Sequence, residues 1–73
     1  MVKKTDKQKL ITLLKYWIEH NREHSEEFQE WAKKTTAMGE PEVAKLIQQS
    51  IFEMDKVTEL LSKALKRLGG KEG

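Results

Sequence analysis

Apolar residues recur along the chain at alternating steps of three and four, in two long stretches separated by one break. This spacing is the heptad pattern of packed α-helices, because it keeps the apolar side chains on one side of each helix. The first stretch carries the pattern at positions 10, 14, 17, 21, 24, 28, 31, 35 and 38, and the second at 44, 47, 51, 54, 58, 61, 65 and 68. We call these two stripes the predicted seams.

The break between the stretches has the composition of a tight helix–helix turn. Gly39 can adopt a positive φ after the end of a helix, and Pro41 suits the first turn of the next one. Such a short connection makes the helices antiparallel neighbours. The prediction is an all-α antiparallel hairpin in which facing residues have numbers that sum to about 79.

The ends of the two helices are predicted from their capping signals. Thr5 to Gln8 reads as a capping box with Thr5 as the N-cap, and Gly69 with Gly70 ends the second helix. We expect helices over about 6–37 and 41–68. The chain is then a single domain, 1–73, with frayed ends at 1–4 and 70–73.

Both seams have apolar neighbours, including two Trp residues, so a lone hairpin leaves apolar surface uncovered. The simplest closed solution is a homodimer that forms a four-helix bundle, and the alternative is docking onto a different helical protein. The predicted oligomer interface is Leu10, Leu14, Trp17, Phe28, Trp31, Ile47, Ile51, Met54, Leu61 and Leu65.

Composition narrows the class of protein. The chain has 73 residues, 36% of them charged and none of them Cys, which excludes disulfides and thiolate chemistry. A chain this short leaves little room for a catalytic cleft, so we expect no enzyme. We expect neither a signal peptide nor a membrane-spanning segment, and predict a cytoplasmic protein. The abundance of Lys and Glu is typical of thermophiles.

Polar residues interrupt the predicted seams at one level of the bundle. Asn21 and His24 interrupt the first seam and Thr58 the second, and the register brings Asn21 opposite Thr58. One hypothesis is a structural polar layer of Asn21, His24 and Thr58 that fixes register and oligomeric state. A second is a pH sensor based on the histidines.

A third hypothesis is a transition-metal site. His20 and His24 are four residues apart and project from the same side of a helix, so both can reach one ion. Imidazole ligands suit Zn, Ni or Co. Two histidines leave the coordination incomplete, and the further candidates are the same pair in a second chain and the carboxylates Glu23, Glu27, Asp55 and Glu59.

Two enzyme-like patterns are rejected. His20, Glu23 and His24 spell the H-x-x-E-H motif of inverted zinc peptidases, but Glu23 points away from the predicted seam and no substrate cleft is available. A di-iron bundle site needs Glu-x-x-His on two helices, and the second helix contains no His.

Basic residues gather where the two chain ends meet. They are Lys3, Lys4, Lys7, Lys9, Lys15, Lys63, Lys66, Arg67 and Lys71. An RNA-binding helical dimer is therefore a further hypothesis. We do not expect nucleic acid as the partner, because the net charge is only +2 and no aromatic residues interleave the basic ones.

The run from Tyr16 to His24, followed by Phe28 and Trp31, resembles a group of short, mostly archaeal proteins of unknown function. These proteins carry a W-I-E-H-N-x-x-H core on the first helix of a helical hairpin. The resemblance implies that His20, Asn21 and His24 distinguish the group, and it implies no reaction. The leading hypothesis is a small, non-catalytic binding or interaction module.

Overall fold

The computed structural model describes residues 4–69, with side chains from Asp6 onward. Two helices form this part of the chain: α1, Lys4–Ala37, has 34 residues, and α2, Pro41–Arg67, has 27. The predicted all-α helical hairpin is confirmed. It measures 52 Å along its longest axis and 14 Å along its shortest, which is one layer of helices. Within residues 4–69, neither helix combines the length and the apolar content needed to cross a lipid bilayer.

The start of α1 differs from the prediction. Lys4 and Thr5 are already helical, so the assignment of Thr5 as the N-cap is wrong. The first amides of a helix can donate to a capping side-chain oxygen or to the carbonyl of an earlier helical residue. Here the helix extends one residue before Thr5, so the second arrangement applies. Asp6 lies in the first turn, where a negative charge is favourable. Apart from Lys4, the predicted frayed ends at 1–4 and 70–73 lie outside the described residues.

The turn between the helices is a Schellman motif built on Gly39. The Gly39 N–H donates to the Thr36 carbonyl at 3.1 Å, and the Glu40 N–H donates to the Thr35 carbonyl at 2.9 Å. Gly39 has a φ of +82°, a conformation that costs little without a Cβ atom. Pro41 then opens α2, as the sequence predicts. The turn therefore reverses the chain while it satisfies two carbonyls in the last turn of α1.

The hydrophobic core lies in the half of the hairpin that is distant from the turn. Three buried residues and three partly buried ones form it: Leu14, Ile18, Leu65, Ile11, Leu61 and Leu68. Within this cluster, residue pairs such as Leu14 with Leu65 have numbers that sum to 79. The observed packing agrees with the predicted register.

The α1 side of the helix–helix contact keeps positions 14 and 35 of the predicted seam, which are buried, and is otherwise shifted from it. Ile18, Ser25 and Ala32 are buried, whereas Trp17 keeps 39% and Trp31 keeps 50% of its surface exposed. The apolar stripe of α1 is wide, so two adjacent stripes fit the same three-and-four spacing. The small side chains at positions 25 and 32 allow the closer approach of the helices. In α2, every predicted seam position is buried or half-buried, and that seam is confirmed.

Candidate functional site

Two histidines of α1 form a close pair near the middle of the hairpin. The Nε2 atoms of His20 and His24 are 2.9 Å apart, which is a hydrogen-bond distance. The two rings meet edge to face, with centroids 4.3 Å apart. His24 is half-buried and His20 is exposed. We call these residues the histidine pair; they place two ring nitrogens at one point on the surface.

The histidine pair is the centre of an aromatic run along α1. Tyr16 stacks on His20 with ring centroids 5.5 Å apart, and His24 meets Phe28 edge to face at 6.4 Å. The four residues follow each other at steps of four, so each ring packs on the next along one helix. This spacing is visible in the sequence, but the heptad pattern places Phe28 in a predicted seam and gives no sign of the run.

One broad side of the hairpin, which we call the apolar face, leaves large hydrophobic side chains exposed around the histidine pair. Both helices contribute to it: Leu10, Leu13, Trp17, Trp31, Met38, Val43, Leu46, Val57 and Leu60. Several of these residues directly precede buried ones, as Trp17 precedes Ile18 and Val43 precedes Ala44. The two antiparallel helices are related by a local two-fold axis that is perpendicular to the plane of the hairpin. Residues that directly precede a buried position therefore lie on the same side of the hairpin in both helices.

The opposite side of the hairpin is polar. A groove between the helices is lined there by Arg22, Asp55, Thr58, Glu59, Ser62, Lys63 and Lys66. The buried Ser25 donates from Oγ to Oδ1 of Asp55 at 3.3 Å. Phe52 is also exposed, but its position in the heptad is outside the apolar face. The two sides of the hairpin therefore differ sharply in polarity.

The predicted polar layer is spread across the hairpin. Asn21 and Thr58 are half-buried at the same level, and the Thr58 hydroxyl donates to the Met54 carbonyl at 3.1 Å. His24 lies beside the apolar face with His20. Ser25 was not predicted as a contact residue, and its signal in the sequence is its spacing of seven from Ile18 and from Ala32, which are both buried. A structural role for Asn21, His24 and Thr58 stays a prediction.

The carboxylates predicted as metal ligands do not join the histidine pair. Asp55 and Glu59 line the polar groove, and Glu23 lines a neighbouring surface depression with Arg22 and Lys15. Glu27 is exposed on α1. Among the described residues, no three His, Asp or Glu side chains are grouped so that they could share an ion. Within one chain, the structure therefore brings together two of the six candidates.

The predicted oligomer-interface residues divide into two groups. Leu10, Trp17, Phe28 and Trp31 are exposed, and Ile47, Ile51, Met54 and Leu61 are half-buried, so a second chain can reach them. Leu14 and Leu65 instead lie in the core of the hairpin, where Leu65 has 0% of its surface exposed. The other helix of the same chain already covers these two residues, so within this hairpin they are not accessible to a second chain.

The structure describes only some of the basic residues that are predicted to gather at the two chain ends. Lys63, Lys66 and Arg67 line a shallow groove near the end of α2. Lys3 and Lys71 lie outside the described residues. RNA binding stays a prediction.

A family model matches residues 10–68, which contain the turn, the histidine pair and the whole apolar face. The model is that of a domain of unknown function, DUF8180. The chain belongs to the DUF8180 family. The candidate site and the apolar face therefore lie entirely within the segment that matches the DUF8180 model.

A relative from the archaeon Archaeoglobus fulgidus, an uncharacterized protein, is 39% identical over 62 residues. The match covers 85% of this chain and 98% of the relative. The predicted resemblance to short archaeal proteins of unknown function is confirmed at this level, and the W-I-E-H-N-x-x-H core as a shared feature of DUF8180 proteins stays a prediction. No solved structure matches the chain.

Proposed function

We propose that the protein is a non-catalytic association module whose apolar face packs against a second copy of the chain to close a four-helix bundle. The observation that carries the proposal is the one-sided exposure of large hydrophobic residues, which include Trp17, Trp31 and Leu60. Contiguous apolar patches of this kind are costly in water and mark surfaces that bind a partner. The polar groove on the other side supplies the outward, solvated surface of such a bundle.

The total surface area supports a second copy as the partner. The chain exposes 6068 Å². A compact monomer of its 8.5 kDa mass exposes about 4,700 Å². The surplus exceeds the roughly 800 Å² that each partner buries in a stable interface of standard size. Burying one face of each hairpin removes a surplus of this size from both copies.

The heptad pattern supports the same assembly. Within one hairpin, Trp17, His24 and Trp31 lie beside the helix–helix contact rather than in it. In a four-helix bundle each helix packs against two neighbouring helices, so the middle of its apolar stripe points between these two neighbours. That direction corresponds to the predicted seam of α1. The spacing along α1 therefore fits a bundle of four helices better than a bundle of two.

A pair of matched substitutions tests the proposal. Leu60 and Phe52 lie on the same helix and are exposed to a similar extent, 63% and 60%, but only Leu60 belongs to the apolar face. Sedimentation velocity of the wild-type protein should give a dimer. Leu60→Glu should shift it to a monomer, whereas Phe52→Glu should leave the dimer intact. Circular dichroism confirms that both variants remain helical.

Other outcomes have clear meanings. A wild-type protein that is monomeric at all concentrations contradicts self-association and points to a different helical partner. Dissociation by Phe52→Glu but not by Leu60→Glu contradicts the assignment of the face.

A second candidate function is that of a metal-binding accessory protein. The 2.9 Å approach of the Nε2 atoms of His20 and His24 favours it, because it brings both nitrogens within reach of one ion. The ions to test are Zn, Ni and Co.

A further inference from the structure

The distance within the histidine pair is close to that between two ligands of one metal ion. With metal–nitrogen bonds of about 2.0–2.1 Å, adjacent nitrogens are about 2.9 Å apart in an octahedral site and about 3.3 Å apart in a tetrahedral one. The Nε2 atoms of His20 and His24 are 2.9 Å apart. For chelation the separation of the two nitrogens therefore changes by only a few tenths of an ångström, and the rings turn so that both Nε2 atoms face the ion.

One chain does not complete the site. No third His, Asp or Glu joins the pair among the described residues, and most structural metal sites need four ligands. The candidate carboxylate Asp55 is held by Ser25, on the polar side. The described residues of one chain therefore leave the coordination incomplete.

The sequence of the apolar stripe on α1 is symmetric about His24. Trp17 and Trp31 are each seven residues from it, and Leu10 and Met38 are each fourteen. A two-fold axis that crosses α1 at right angles near His24 therefore sets each residue of the stripe against an apolar counterpart in a second α1. Isologous contacts of a two-fold dimer have this self-complementary form. The same axis sets His24 of one copy level with His24 of the other, and each His20 lies one helical turn away, on opposite sides of the axis.

We infer that the apolar face assembles two copies of α1 in antiparallel orientation, and that His20 and His24 of both copies bind one divalent transition-metal ion of the Zn, Ni or Co class. The inference rests on the proposed self-association. Four neutral imidazoles provide a complete ligand set that neither copy has alone. In the metal-free pair, one ring donates its Nε2–H to the other. In the metal-bound pair, that proton resides on Nδ1 and both Nε2 lone pairs face the ion.

The neighbouring charges suit a cation held by neutral ligands. Glu19, Glu23 and Glu27 lie within one turn of the pair on α1 and keep exposed side chains. Like charges at this spacing repel each other, and a cation nearby relieves that repulsion. Glu27 is near the pair in sequence but has no place in the proposed ligand set, so it provides the control substitution.

The test is native mass spectrometry with sedimentation velocity on the full chain without a His tag, before and after addition of Zn²⁺ or Co²⁺. The expected result is one ion per two chains, a stronger dimer in the presence of the ion, and the visible absorption of tetrahedral Co²⁺. His24→Gln should lose stoichiometric binding and the absorption band. Glu27→Gln should retain both.

Each outcome separates this inference from the proposed function. A dimer that binds neither ion overturns the metal site and leaves self-association standing. One ion per chain, with no effect on association, overturns the shared site. A chain that is monomeric with and without metal overturns both proposals. A folded His24→Gln variant that still binds one ion per dimer also overturns the site, and circular dichroism establishes that it is folded.

Discussion

Ser25 of α1 donates a hydrogen bond to Asp55 of α2 across 3.3 Å, and so links the two helices on the polar side of the hairpin. Ser25 is buried, whereas Asp55 remains exposed to solvent. A small polar residue thus stands at a helix contact where the heptad pattern led us to expect His24. Asp55 lines the polar groove, on the other side of the hairpin from the histidine pair.

Substitutions at Ser25 should separate the effect of the hydrogen bond from that of side-chain size. Ser25→Ala loses the bond but gains helix propensity, so we expect the free energy of unfolding to fall by less than about 1 kcal/mol. Ser25→Leu places a large side chain where the helices approach closely and should lower it by about 1–3 kcal/mol. Urea denaturation at a fixed protein concentration measures both. A fully stable Ser25→Leu variant would show that the helices are not tightly packed at this level.

Leu65 should be among the most sensitive apolar positions. It is fully buried between Leu14 and Ile18. Leu65→Ala removes these contacts and leaves a cavity, and we expect a loss of about 2–5 kcal/mol in the free energy of unfolding. Thermal and urea denaturation followed by circular dichroism give the value. The difference in the free energy of unfolding between Leu65→Ala and the wild type should be the same at all protein concentrations, because Leu65 packs within its own chain.

Any side chain at Gly39 should lower the free energy of unfolding. Its φ is +82°, and no atom lies within 4 Å of the position that a Cβ would occupy. The cost of Gly39→Ala is therefore one of backbone conformation, about 1–2 kcal/mol. Gly69 has a similar φ of +86° but lies after the last turn of α2, so Gly69→Ala should cost less because that end can fray. Equal effects in urea denaturation would contradict this difference.

Asn21 provides a test of the structural polar layer. It is half-buried in the predicted seam. If it specifies the assembly, Asn21→Leu should raise the free energy of unfolding by about 1 kcal/mol, while the variant populates more than one oligomeric state. Asn21→Gln should keep a single state. Strong destabilisation by Leu, measured by urea denaturation with native mass spectrometry, would instead identify Asn21 as part of a tightly hydrogen-bonded unit.

The sequence alone determined the class and course of the fold. Heptad spacing predicts the two helices, Gly39 and Pro41 predict the turn, and equal rise along both helices predicts the pairing of Leu14 with Leu65. The proximity of His20 and His24 also follows from the sequence, because a spacing of four places them one turn apart on any α-helix. These features depend on local geometry, which does not change with the packing of the helices.

Only the tertiary structure decided which stripe of α1 faces α2. Position 17 or position 18 could serve equally by period, and the hairpin buries Ile18 and leaves Trp17 exposed. This choice sets the location of the apolar face and places Asp55 against Ser25 rather than near a histidine. On a wide apolar stripe, two neighbouring lines of residues have the same three-and-four spacing, so the spacing does not choose between them. The choice depends on how closely the opposing side chains let the helices approach.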